Sequence, residues 1–116
     1  MATLKTFTPT ANSLGGRLRE ALQLPSQSAR KTRVYFVRSG QTLKVGCTGA
    51  NNVLERVRSV SGYGRIEVEL LGHIDGGYPS EKACHLVLSE HRIRGEWFHY
   101  TDEVAEAVMF VLGKST

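Results

Sequence analysis

Cysteine, proline and tryptophan are all scarce in this chain, at two, three and one residues among 116. Cys47 and Cys84 stand at no zinc-ligand spacing, and two thiols do not make a disulfide framework. That excludes a stapled secreted scaffold and makes a reducing cytoplasm, bacterial or phage-infected, the expected setting. Long apolar runs are missing as well. None approaches the ~20 residues of a membrane span, and the N-terminus lacks the apolar stretch of a signal peptide. Repeats and low-complexity tracts are absent too. With 41% hydrophobic and 22% charged residues, the rest is the composition of one soluble domain large enough to bury a core.

Net charge is unevenly spread. Residues 1–31 carry Lys5, Arg17, Arg19, Arg30 and Lys31 against Glu20 alone, which accounts for the whole formal charge of +4. The ten basic and ten acidic residues of 32–116 cancel. The chain therefore divides into a basic N-terminal extension, 1–31, and a neutral domain, 32–116. The extension either tracks a phosphate backbone with salt-dependent affinity or is a solvated lead-in.

Within the extension, residues 1–10 are Thr-rich and extended. Asn12 or Ser13 can cap a short helix over 11–24 that places Leu14, Leu18, Ala21 and Leu22 on one face, and Leu24 to Lys31 is a linker. Thr32–Arg38 and Thr42–Cys47 are β-branched strands joined by a short Gly-containing turn, a hairpin. Val53 to Val60 forms a helix with Val53, Leu54, Val57 and Val60 inward. Arg65–Ile74 is a third strand. After a glycine-rich turn, Ser80 caps a helix from Glu81 to His91, with Cys84, Leu88 and either Ala83 or Val87 packed. Arg92–Phe98 is a connection ending in an aromatic pair. Thr101 or Asp102 caps a last helix to Leu112, whose apolar set is Val104, Val108, Val111 and Leu112. The expected fold is α+β: a small three-stranded, mainly antiparallel sheet flanked by helices.

Four positions on these elements form a chemical set: Tyr35 and Lys44 on the hairpin, Arg56 on the first core helix, and Glu81 opening the next. Hydrolysis of a phosphodiester requires a base for water, a cation for transition-state charge and a carboxylate for a divalent metal. Tyrosine serves as the base if a nearby cation lowers its pKa, and arginine grips phosphate oxygens in a fixed fork. Singly, each has a bland account: strand packing for Tyr35, a solvated face for Lys44 and Arg56, helix-dipole stabilisation for Glu81.

The strings VYFVRSG, LKVGCTG, LERVRSVSG, EKACH and RGEWF, in that order over about residues 33–110, resemble the GIY-YIG nuclease superfamily, most closely its T5orf172 or MUG113 branch. The resemblance implies a metal-dependent endonuclease that hydrolyses DNA with Mg²⁺ or Mn²⁺. On it, Tyr35 corresponds to the first-motif tyrosine and acts as base, and Lys44-Val45-Gly46 corresponds to the second motif, with Lys44 as electrostatic helper. Arg56 is the phosphate arginine and Glu81 the metal ligand. His85, one turn on, either approaches the phosphate or packs. RGEWF is mainly structural, with Glu96 a partner for a basic residue. Arg17, Arg19, Arg30, Lys31 and Arg58 are the candidate DNA contacts. The alternatives are a nucleic-acid-binding module that does not cut and a phage or mobile-element protein that docks on a host protein. A homodimer fits either role.

Overall fold

The computed structural model of the chain describes residues 13–114. The Thr-rich lead-in, Lys5 and the alternative cap Asn12 lie outside the described residues. Ser13 caps α1, Leu14–Leu22, its Oγ accepting from the Gly16 amide at 3.1 Å. Two glycines in the first turn disfavour this helix by about 1 kcal/mol each. Burial of Leu18, Ala21 and Leu22 offsets that cost.

Strands β1, Thr32–Ser39, and β2, Thr42–Gly49, pair antiparallel along their whole length. Gly40, at φ +57°, takes the left-handed position that a two-residue hairpin turn requires. Helix α2, Val53–Val60, then crosses one face of the sheet, and β3, Glu69–Asp75, returns along the far side of β1. Helix α3 follows at Tyr78–Val87, then a single 3₁₀ turn at Ser89–His91. Strands β4, Arg92–Arg94, and β5, Trp97–His99, precede α4, Asp102–Val111, capped by Thr101. The sheet order is β3-β1-β2-β5-β4, antiparallel throughout.

The alternating side chains of β1 and β2 divide the molecule into two layers of unequal weight. Val34, Phe36, Leu43, Val45 and Phe98 face α1, α3 and α4 and form the main core. Tyr35 and Val37 face the other way, where α2 alone covers them through Val53, Val57 and Val60. One helix cannot cover a five-stranded sheet, so much of this second face is open. Helix α1 shares the main core with the sheet through Leu18, Ala21 and Leu22.

Several sequence expectations are corrected. The sheet has five strands, not three, because Arg92–Phe98 is a hairpin about Gly95 (φ +55°) and not a connection. Three-residue strands are too short to show a period, and the exposed, charged β4 makes a protected sheet edge. β3 begins at Glu69 rather than Arg65: Glu69 pairs with Arg38, next to the hairpin turn, so earlier residues have no strand to pair with. Leu54 is exposed, not inward. α3 begins at Tyr78, with Gly77 as N-cap and Pro79 in its first turn, where a missing N–H costs nothing. Ser80 is therefore inside the helix and buried, its hydroxyl donating to the Leu24 carbonyl at 3.3 Å. The helix stops at Val87 instead of His91, giving way to the 3₁₀ turn.

If α1 is integral to the fold, Leu18→Ala lowers unfolding stability by about 2–5 kcal/mol in urea denaturation. An unchanged midpoint would show that α1 adds nothing to the core.

Candidate active site

Strand β5 pairs with β2 only from Thr42 to Lys44. The backbone of β2 beyond that point would face α3 with its polar groups unpaired, a costly state for buried peptide groups. Three groups meet them. The Val45 amide donates to the Glu96 carbonyl at 3.1 Å. The Val45 carbonyl accepts from His85 Nε2 at 2.8 Å, and the Cys47 amide donates to the Glu81 carboxylate. Glu81 and His85 are four residues apart on α3 and so point from the same helix face at the same strand edge. His85 also lies tilted against the Phe98 ring, centroids 5.4 Å apart. His85 thus packs against the core and completes the strand edge.

Glu81 is 4% exposed. Burial raises its pKa to about 7, with Glu96 pushing in the same direction and Lys44, Lys82 and the Cys47 amide opposing. Glu96, on the turn between β4 and β5, pairs with Lys44 Nζ at 2.5 Å, and that ammonium also lies 5.9 Å from the centre of the Trp97 ring. Glu96 is the partner of a basic residue, as expected. Its effect on Tyr35 and Glu81 was not legible, because RGEWF has the composition of a core-closing turn.

Tyr35 lies on the open sheet face, 2% exposed, and its ring crosses Gly46 on β2. A Cβ at Gly46 would fall 2.2 Å from the Tyr35 hydroxyl oxygen, so only glycine permits this placement. Burial raises the Tyr35 pKa to about 12; Glu96 and Glu81 add to the rise and Arg56 opposes it. The expected depression by Lys44 is not found: its ammonium is engaged by Glu96, and its charge acts on Glu81. Arg56, on α2, is exposed and has no carboxylate partner among the described residues, whereas Arg58 is turned to Glu55 at 3.6 Å. Tyr35, Arg56, Glu81 and Glu96 thus share one electrostatic field, with Lys44 tied into it through Glu96. The half-buried Cys47 thiol lies in the same field, its pKa raised by burial and by Glu81.

A family model of the T5orf172 domain matches residues 16–112. The chain belongs to the T5orf172 domain family. T5orf172 domains are nuclease-like and DNA-binding. No curated protein and no solved structure matches the chain. In this T5orf172 domain the match begins inside α1, in keeping with the place of that helix in the core.

The basic residues of the extension fall into two groups. Arg17 donates to the Val87 carbonyl at 3.1 Å and Arg19 lies 5.7 Å from the Phe110 ring centre, both on the helical side of the sheet away from Tyr35. Arg30 and Lys31 are exposed where the chain enters β1, beside Thr32, Asp75 and Gly76. Among the described residues no helix is long and apolar enough to cross a membrane, and no group of three or more His, Cys, Asp or Glu is arranged as a metal site. Magnesium does not need one: it keeps several waters and is commonly held by one or two carboxylates with substrate phosphates. Glu81, whose carboxyl burial and the neighbouring Glu96 charge keep protonated up to about 7, is a carboxylate here that could hold such an ion.

The raised pKa of Glu81 has a consequence for stability. The native state favours its neutral form, so that contribution is complete below its ordinary value of 4.5 and is lost as pH rises through about 7. Glu81→Gln, still able to accept from the Cys47 amide, removes the penalty. The variant is expected to match wild type near pH 4 and to exceed it above pH 7 by up to about 3 kcal/mol, at ~1.4 kcal/mol per pH unit, in chemical denaturation. A stability difference independent of pH would contradict this account.

Proposed function

We propose that this domain is a metal-dependent endonuclease that hydrolyses DNA phosphodiester bonds in the GIY-YIG manner. The observation that carries the proposal is the shared field of Tyr35, Arg56, Glu81 and Glu96, which brings charged and ionisable groups from β1, α2, α3 and the β4–β5 turn within electrostatic reach of one another. Arg56, with no carboxylate to neutralise it, binds the non-bridging oxygens of the scissile phosphate. Tyr35, its hydroxyl fixed over Gly46, orients the attacking water and takes its proton when the phenol is ionised. Glu81, backed by Glu96, supplies carboxylate oxygen to Mg²⁺ or Mn²⁺. The ion, when bound, supplies positive charge that polarises the phosphate and offsets the two carboxylates. Lys44 holds Glu96 in place and keeps part of its charge off Glu81.

Because Glu81 ionises only near pH 7, cation binding and cutting are lost as pH falls below that value. The neutral Tyr35 phenol gives the same direction, since the base form grows as pH rises. The resting state also favours a second reading. With Lys44 neutralised by Glu96 and Tyr35 at about 12, the site has no ready base, which is what a domain that binds without cutting would show.

Plasmid nicking separates the two. Wild type with Mg²⁺ should nick supercoiled DNA, faster above pH 7 than below it, while Glu81→Gln should be slower by at least ~100-fold, the scale of removing a central catalytic group. Equal nicking by both proteins, or none by either, rules out the hydrolytic mechanism. DNA affinity is expected to depend on Arg30 and Lys31 rather than on Arg17 and Arg19, whose side chains are engaged away from the site. Neutralising the first pair should reduce the slope of log K against log salt by about 0.9 per lost phosphate contact, and neutralising the second pair should leave it unchanged.

A further inference from the structure

Beside Arg56 the open face carries a hollow of about 260 Å³, lined by Thr48, Asn52, Glu55, Arg56, Ser59 and Tyr63. At ~30 Å³ per water it has room for about nine waters, enough for a single ring system. Thr48 lies two residues along β2 from Gly46, on the same side of the sheet. The hollow therefore lies on the same side of the sheet as the Tyr35 ring, and Arg56, which lines it, also acts on Tyr35 through its charge.

Tyr63 is the unusual member. Its ring is 67% exposed, and its backbone is left-handed at φ +58°, between Gly62 at +65° and Gly64 at +96°. Gly62 ends α2 in the ordinary way: its amide and that of Tyr63 donate to the carbonyls of Ser59 and Arg58, both at 2.9 Å. That motif needs one left-handed residue, not three. Ser61 locks the rest, its Oγ donating to the Arg58 carbonyl at 2.7 Å and accepting from the Gly64 amide at 3.1 Å. The turn thus holds an aromatic side chain out in water, in a conformation that tyrosine adopts only under strain. Core packing does not account for it.

We infer that this hollow takes an unpaired DNA base next to the phosphate held by Arg56, with Tyr63 as its stacking surface. The inference rests on the nuclease reading for the role of Arg56 and deepens it by naming the substrate class: DNA with an unstacked nucleotide at the cut, as in a flap, a gap or a single strand. A base inside a duplex presents no free face to an aromatic ring, whereas an unstacked one does so whatever its identity. The Asn52 side chain makes no cap bond to its own helix, leaving its amide, with the Thr48 and Ser59 hydroxyls, for the base edge. Glu55 repels the backbone little because it is turned to Arg58.

The test is fluorescence anisotropy with a labelled 5′-flap and its fully paired duplex, in EDTA so that nothing is cut. Wild type should prefer the flap. Tyr63→Gly should reduce that preference by at least ~5-fold, the scale of losing one stacked base, without lowering the melting temperature, because glycine relieves the left-handed backbone. Tyr63→Trp should retain it. Equal affinity for flap and duplex in wild type, or an undiminished preference in Tyr63→Gly, overturns the inference. Cutting of the same flap and of supercoiled plasmid with Mg²⁺, run in parallel, keeps the two readings apart. Cutting without any flap preference removes the base site and leaves the nuclease. A Tyr63-dependent flap preference with neither substrate cut supports the base site and removes the nuclease.

Discussion

The half-covered edge of β2 governs the chemistry of this molecule. Strand β5 is three residues long and runs out at Lys44, leaving the buried Val45 and half-buried Cys47 with backbone groups that β5 does not satisfy. An unmade hydrogen bond there costs about 1–3 kcal/mol. The fold meets this need with the Glu96 carbonyl, the His85 imidazole and the Glu81 carboxylate. Two acidic residues are thereby brought to one strand edge, one of them 4% exposed. The protonation behaviour of Glu81 follows from this placement, as does part of the rise at Tyr35.

Asymmetry between the two sheet faces supplies the second constraint. Three helices seal one side, and the other has only α2. Tyr35 is buried by its own neighbours on that thinly covered side. Gly46 makes this possible, since any side chain there would collide with the phenol. A single helix thus closes the small core through Val53, Val57 and Val60 while Arg56 points outward beside it.

The charges of the site are largely satisfied at rest. Lys44 is paired, Tyr35 is neutral and Glu81 is poised near neutrality. Such an arrangement keeps the buried Glu81 carboxyl tolerable without a cation, at some cost in stability as pH rises. On the proposed nuclease reading, function and stability pull in opposite directions at Glu81, a common trade-off in functional sites.

Much of this was legible in the sequence. The β-branched and aromatic content of Thr32–Arg38 and Thr42–Cys47, the turn at Gly40, the period of Val53–Val60 and the caps at Ser13 and Thr101 are local signals, and the elements formed where those signals lay. The ordered motifs pointed to the T5orf172 family without any contact being known. Tertiary structure alone decided the rest, because the deciding quantities are distances between residues far apart in the chain. Arg92–Arg94 became an edge strand only by meeting Trp97–His99, too few residues for a period to appear. Lys44 turned to Glu96 instead of Tyr35, since the β4–β5 turn brings a carboxylate to it. Arg17 and Arg19 spent their charge against α3 and α4 because α1 packs into the core. The sequence by itself determined which groups are present and on which elements; the short reach of β5 along β2 decided which of them meet, since only there does the backbone require side chains to complete it.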